Sequence, residues 1–430
     1  MSRIGFLVLY ASGHVNPSVV LARALQDKGH EVVFFNIADV ASEVTSAGLQ
    51  FRSFAVADYP VGNLQELLQK IGELDGAAAV AFFVERMQKL GRTSFQYLPE
   101  LISKEKLDLL IIDQFYPGGA TLADHLNLPY ISLANALVAN REDVIPPPTQ
   151  LWPYDTSVEA IQRNRKGWEA TLQAFNPLLN VINAQRRIWG LPDYVDLFED
   201  SFSPLAQIAQ QPAVFEFPRL TAPDTLHFVG HFENERHENL IAFDRDRLDG
   251  HPLVYASLGT LQNRQDWIFR AIIEACAPLD AQTVIALGKT GYPPEFFGAV
   301  PENIILVPYA PQFELLRNAR LCITHGGLNT TLDCLANGVP MVALPIASEQ
   351  PGIAMRIEYL GAGKVLPIAN LNPALLHSTI QTVLSDPSYV QAAKSAAHEI
   401  GKLKPIPDAV RIVEEILSST QSWDGYVTKA

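Results

Sequence analysis

What most limits the folds open to this chain is a rhythm in its apolar residues. Short apolar runs at 4–9, 32–36, 51–54, 109–112 and 130–133 alternate with stretches of helical spacing. The rhythm resumes at 253–257, 283–287, 304–307, 321–323 and 341–344. Strand-length runs separated by helices imply βαβ units and parallel sheets. The two sets predict an α/β fold of two Rossmann-like domains, residues 1–232 and 251–407. A stretch rich in both charge signs, 233–250, connects them after the sequence FVGHF. Residues 408–430 read as a helix, VRIVEEIL, followed by a polar end.

Length and charge narrow the function classes. The 430 residues allow two domains of roughly 200 each. A net charge of −14 argues against nucleic acid or an anionic membrane as partner, since both call for a basic face. Cys276, Cys322 and Cys334 show no C-x-x-C spacing, and a reduced, cytoplasmic protein is expected. The start, MSRIGFLVLYASG, has the outline of a signal peptide but feeds directly into a helical pattern, as a first strand does. No apolar run approaches the ~20 residues that a membrane helix needs.

The densest chemistry lies at residues 324–350, THGGLNTTLDCLANGVPMVALPIASEQ. A strand ends there in Gly326 and Gly327, a turn that lets backbone approach a ligand closely. A helix follows, with Gly338 just past its end. Strand, glycine turn and helix start together collect an anion. Around that place stand His325, Asn329, Thr330, Asp333 and Glu349. Carboxylates beside an anion site are unfavourable unless the ligand also brings hydroxyl donors. A phosphate and a sugar on one ligand would meet both demands, which suggests a nucleotide sugar. Neither half has G-x-G-x-x-G after its first strand (the loops read ASGHVNPS and SLGT), which weakens a nicotinamide or flavin reading.

In the first loop, His14 precedes Asn16 and Pro17, a good N-cap and a good first helical residue. A helix start disfavours imidazolium, so a neutral ring is expected there. Asp113 ends the apolar run LDLLIID, at the carboxyl edge where ligands gather in open α/β sheets. The residues alone leave two readings open: His14 and Asp113 cap their junctions, or they form a base and its orienting carboxylate.

The 324–350 stretch resembles the donor-binding signature of the family-one UDP-sugar glycosyltransferases, from His325 through Gly338-Val339-Pro340 to the Glu349–Gln350 pair. The resemblance implies the GT-B fold, two facing Rossmann-like domains with an interdomain cleft, and a terminal helix that crosses back to the first domain. It implies His14 as catalytic base and Asp113 as its partner. It implies that Tyr309 stacks on uracil, that the backbone of Ala310 reads its edge, and that Gln312 and Asp333 hold the ribose. His325, Gly327, Asn329 and Thr330, with Gly259 and Thr260, would meet the diphosphate, and Glu349 and Gln350 the sugar hydroxyls. Tyr309 stands where the family usually has Trp, Asp333 where it has Glu, and Glu349 where it has Asp. The Gln at 350 favours glucose. The overall pattern looks closest to bacterial macrolide and carotenoid (zeaxanthin-type) glucosyltransferases.

Residues 141–200 break the rhythm: Pro146–Pro148 stop any helix, and 164–190 reads as one long helix. Such insertions often cover a substrate site. Phe82, Phe83, Met87, Phe115, Trp152 and Phe175 are the candidates for an apolar acceptor pocket, although each also suits a core. Asp244-Arg245-Asp246 resembles a D-x-D metal site but lies in the charged connection, and His227, His231 and His237 lack companion cysteines, so no metal is expected. The expected reaction is inverting, metal-independent transfer of glucose from UDP-glucose to a hydroxyl of an apolar acceptor of carotenoid, terpenoid, polyketide or flavonoid type. Peripheral membrane contact is expected only for a lipid acceptor, and the chain is expected as a monomer or weak dimer. A UDP-sugar epimerase or hydrolase would instead convert donor alone. A non-catalytic nucleotide-sugar-binding protein would bind donor without turnover.

Overall fold

A computed structural model describes residues 1–74, 76–232, 241–261, 263–288 and 291–420. The first part of the expected connection, 233–240 with His237, and the end of the expected tail, 421–430, lie outside the described residues.

The first sheet is parallel, with strand order β3-β2-β1-β4-β5-β6-β7. Its strands are β1 (Arg3–Leu7), β2 (Glu31–Asn36), β3 (Gln50–Ser53), β4 (Leu109–Asp113), β5 (Tyr130–Ala134), β6 (Gln207–Ala209) and β7 (Leu226–Phe228). The second, also parallel, runs β10-β9-β8-β11-β12-β13. It comprises β8 (Leu253–Ser257), β9 (Gln282–Ala286), β10 (Ile304–Val307), β11 (Ala319–Thr324), β12 (Met341–Ala343) and β13 (Gly363–Val365). All ten expected strands are present, displaced by a residue or two at most ends. The three without a sequence counterpart, β6, β7 and β13, have three residues each, too few to show a pattern.

Helices cover both faces of each sheet, so the central strands bury every side chain. Phe6 on β1 stacks on Phe34 of β2 with centroids 4.8 Å apart. Each such fully buried ring contributes about 1.5–3 kcal/mol. Cys276, Cys322 and Cys334 are buried free thiols. The helix Pro405–Thr420 buries Ala409, Val410 and Val413 in the first domain's core and packs on the helix Ser12–Asp27.

In both sheets the order reverses direction beside the first strand, between β1 and β4 and between β8 and β11. A crevice opens there at the carboxyl ends of the strands. The two crevices face one cavity of about 740 Å³.

The 141–200 segment is tied to the second domain. Gly352 N–H donates to Pro148 O at 2.7 Å. A second tie comes from beyond that segment, after β6: Arg356 donates to Glu216 Oε1 through Nε at 2.9 Å and Nη2 at 2.5 Å, with both side chains almost fully buried. The long helix spans Val158–Ile188, beginning six residues before the expected start because the Ser157 hydroxyl caps it. It lies along the helix Gly76–Glu105, and the two form the far wall of the cavity.

Candidate active site

On the first-domain side, His14 Nδ1 lies 2.6 Å from Asp113 Oδ2. Asp113 ends β4, is 1% exposed, and sits behind His14, away from the cavity. Its carboxylate is fixed from two further directions: Asn135 Nδ2 donates to Oδ2 at 2.9 Å and Phe115 N–H donates to Oδ1 at 2.9 Å. With Nδ1 committed to the carboxylate, the other ring nitrogen is the one left to meet a substrate proton.

Two expectations about this loop need correction. The helix begins at Ser12, a turn before Asn16, so Pro17 lies inside it. Proline has no N–H for the carbonyl four residues back, that of Gly13. Asn329 of the second domain supplies the missing donor, its Nδ2 donating to Gly13 O at 3.0 Å. The His14 imidazole, moreover, is not held down by the helix start. Burial pushes its pKa down, but the Asp113 carboxylate, their hydrogen bond and the nearby Glu349 outweigh that and raise it above the ordinary value.

On the second-domain side, Gly259 and Thr260 follow β8, Tyr309, Ala310 and Gln312 follow β10, and the 325–333 segment follows β11. All of these named donor candidates, with Glu349 and Gln350 after β12, line the cavity. The glycines have a steric reason. A Cβ on either Gly259 or Gly327 would stand 2.6 Å from the His325 ring, so the ring lies between the two backbones. Gly259 also has φ of +71°, which disfavours a side chain. Burial pushes the His325 pKa down to about 4, so the ring is neutral.

The helix Leu328–Ala336 opens onto the cavity from Gly327. Its first internal bond is Thr331 N–H to Gly327 O, and the preceding N–H groups are those that a helix start leaves over. The Asn329 side chain is engaged across the cleft with Gly13 O and with Gln210 Nε2, which donates to its Oδ1 at 3.0 Å. Thr330 Oγ1 donates to Gln312 Oε1 at 3.1 Å, and Gln312 Nε2 donates to Asp333 Oδ2 at 2.6 Å. The loop before Glu349 is held by Gln350, whose Oε1 accepts from Ile346 N–H at 2.8 Å and Ala347 N–H at 3.0 Å. That oxygen therefore shapes the loop, and Ser348, at φ of +57°, turns Glu349 into the cavity. Burial raises the Glu349 pKa. Ser12 Oγ meets Thr260 Oγ1 at 3.2 Å, joining the two first loops.

Phe82, Phe83, Met87, Phe115 and Phe175 line the apolar end of the cavity. Trp152 does not. Its ring packs on Gly167 of the long helix with the Arg163 guanidinium over it and is not among the residues that line the cavity, whereas Trp168 is. The Asp244–Asp246 string is not at the site: Asp244 caps a short turn and Arg245 pairs with Glu314. Asn135 and Gln210 are site residues that the sequence reading passed over, and His231, weighed there only as a metal ligand, also lines the cavity. Asn135 and Gln210 directly follow β5 and β6 at the carboxyl edge, the same signal that marked Asp113.

Two facing parallel α/β sheets with a site between their switch points define the GT-B class. Solved structures agree: the chain matches the glycosyltransferase of kitacinnamycin with a TM-score of 0.75 and 22% identity, over 97% of this chain and 99% of that one. The calicheamicin glycosyltransferase CalG4 matches with a TM-score of 0.72 and 22% identity, over 98% and 99%. Residues 194–419 match the UDP-glucoronosyl and UDP-glucosyl transferase family, to which the chain belongs. It is similar to the zeaxanthin glucosyltransferase of Pseudescherichia vulneris, 30% identical over 94% of this chain and 95% of that protein. It is also similar to that of Pantoea ananas, 30% identical over 96% of each. The chain is thus a glycosyltransferase, and among the described residues no helix is long and apolar enough to cross a membrane.

Proposed function

We propose that this enzyme moves glucose from UDP-glucose to a hydroxyl of an apolar small molecule, with inversion and without a metal. The observation that carries the proposal is His14, bonded to buried Asp113 and facing the glycine turn and helix start across the cavity. His14 takes the acceptor proton while the acceptor oxygen attacks the anomeric carbon. Asp113 holds the ring and stabilises the imidazolium that forms. The bond to the diphosphate breaks, and UDP leaves toward the start of the helix Leu328–Ala336, whose dipole and N–H groups oppose the growing negative charge. Gly259, Thr260 and His325 complete the diphosphate pocket. Asn329 contributes chiefly through its N–H, since its side chain bridges the domains. Tyr309 and Ala310 take the uracil, Gln312 and Asp333 the ribose, and Glu349 the glucosyl hydroxyls.

The acceptor end is lined by Phe82, Phe83, Met87, Phe175 and Trp168, which suits a hydroxylated hydrocarbon or polyketide better than a sugar or peptide. The likeness to zeaxanthin glucosyltransferases supports the same choice. The test is mass spectrometry of the purified protein with UDP-glucose, EDTA and a panel of hydroxylated apolar acceptors. A hexosylated product is expected. Donor consumption without such a product would refute transfer in favour of hydrolysis or epimerisation. Loss of product on adding EDTA would refute metal independence.

A further inference from the structure

The helix Gly76–Glu105 turns one face to the cavity, with Ala79, Val80, Phe83 and Met87 on it at helical spacing. Arg86 lies on the same face. It is the one arginine or lysine among the described residues that line the cavity. It stands at the apolar end, its guanidinium carbon 5.2 Å from the centroid of the Phe82 ring. Nη2 pairs with Glu85, a neighbour whose side chain is mostly exposed, and pairs of that kind contribute little. Nε is buried and has no hydrogen-bond partner among the described residues. A buried N–H on a charged group is costly to leave without an acceptor.

Tyr10 supplies a second donor. It follows β1, four residues before His14, is 7% exposed and lines the cavity. Burial and the neighbouring Tyr59 push the pKa of its hydroxyl up, so the O–H stays intact, and Arg86 acts on it in the opposite sense, as a nearby cation does. Both residues offer protons, so a ligand group that meets them is an oxygen acceptor. Beside a cation in aromatic surroundings an anionic oxygen is favoured over a neutral one. Nε and Nη2 form one edge of the guanidinium, which fits the two oxygens of a carboxylate that takes the place of Glu85 at Nη2. Both residues belong to the first domain, and Tyr10 shares its loop with His14, so the ligand that reaches them is the acceptor and not the nucleotide sugar.

We propose that Arg86 and Tyr10 form an anion subsite for the acceptor, so that the preferred acceptor is a hydroxylated apolar molecule that also carries a carboxylate away from the hydroxyl that reacts. The inference rests on the glycosyl-transfer reading of the same cavity and narrows its acceptor class.

The test is acceptor kinetics of the purified protein with UDP-glucose and matched pairs, each a hydroxylated acid and its methyl ester: ω-hydroxypalmitic acid, a hydroxylated triterpenoid acid and a hydroxylated bile acid. At least one acid is expected to exceed its ester in kcat/KM by roughly 10- to 100-fold, mostly through KM, the range of a hydrogen bond to a charged group. In Arg86→Met the fall should be concentrated on the acid, so the ratio collapses. Arg86→Lys keeps the charge without the fork and is expected to restore part of the ratio. Tyr10→Phe should lower it severalfold. Melting curves separate loss of fold from loss of recognition, and titration with UDP shows whether the donor side is intact. Equal kcat/KM for acid and ester in the wild type, or an unchanged ratio in the folded Met variant, would overturn the subsite. A matching fall in UDP affinity would assign Arg86 to the nucleotide and overturn it too. An alkali-labile glucosyl ester as product would place the carboxylate at His14 and have the same consequence. Hexosylation of esters alone would overturn the subsite and leave the transfer reading standing. No hexosylated product from any acid, ester or neutral acceptor would overturn the transfer reading and this inference with it.

Discussion

At the split between β1 and β4 the first sheet presents an imidazole backed by a buried carboxylate. At the split between β8 and β11 the second presents glycine turns, a neutral imidazole and a helix start. His14 and His325 occupy comparable places, each a few residues past the end of a central strand: His14 in the first turn of the helix Ser12–Asp27, His325 in the turn just before the helix Leu328–Ala336. Their titration nevertheless moves in opposite directions. Burial pushes both down, but His14 has Asp113 at 2.6 Å and rises, whereas His325 lies between Gly259 and Gly327 and falls to about 4. Neighbours, not residue type or position at the strand end, decide which histidine can accept a proton and which remains a neutral dipole. The division suits a displacement in which one side receives a proton and the other receives negative charge.

The largest effect expected from breaking this division is at His14. His14→Ala should lower kcat by roughly 10²–10⁴ while UDP affinity, measured by titration, stays near that of the wild type. His325→Ala should do the reverse and weaken UDP binding first. If both variants lose the same property, the two sides do not have separate roles.

Asp113→Asn should follow, with a fall in kcat of roughly 10²-fold or more. Its pH profile sharpens the point. The base works only when deprotonated, and Asp113 raises the His14 pKa. In the wild type, activity should therefore decline as pH falls through a value above that of free imidazole. Without the carboxylate, the acid limb of kcat/KM should move to lower pH. An unmoved limb would show that another group titrates there.

Gly327→Ala tests the second side. Its φ of −68° suits alanine, so the expected penalty is steric, from a methyl 2.6 Å from the His325 ring. A loss of about 1–3 kcal/mol is expected in folding stability, donor binding or both, measurable by melting and titration. The smallest effects belong to the acceptor wall. Phe175→Ala should raise the acceptor KM severalfold without changing UDP affinity. Trp152→Ala, outside the cavity, should lower the melting temperature and leave the acceptor KM unchanged.

The two sides also differed in how far they could be read from residues alone. The second side is nearly contiguous: a strand, two glycines, a helix start and a polar loop follow one another over residues 321–350, so local chemistry conveys most of the arrangement. The sheets were readable for a similar reason, because strands buried on both faces leave unbroken apolar runs such as LLIID and LVYAS. The first side is assembled from distant parts. The helix can run through Pro17 because Asn329, more than 300 residues further on, serves the carbonyl that proline leaves unpaired (sequence separation 316). Trp152 and Trp168 lie in the same insertion, and only the packing of the long helix decides which of them meets the cavity. Asn135 fixes Asp113 from a neighbouring strand, and His231 meets Asp333 from the other domain. Such pairings have no local signature.

The most direct test of the central claim, a single displacement shared between the two sides, is the anomeric configuration of the product. The glucoside made by the wild type from UDP-α-glucose would be purified and its anomeric proton coupling measured by NMR. A β-glucoside is the outcome expected from an acceptor oxygen activated at His14 opposite the departing diphosphate. An α-glucoside would mean retention, and would contradict a one-step attack aided by His14.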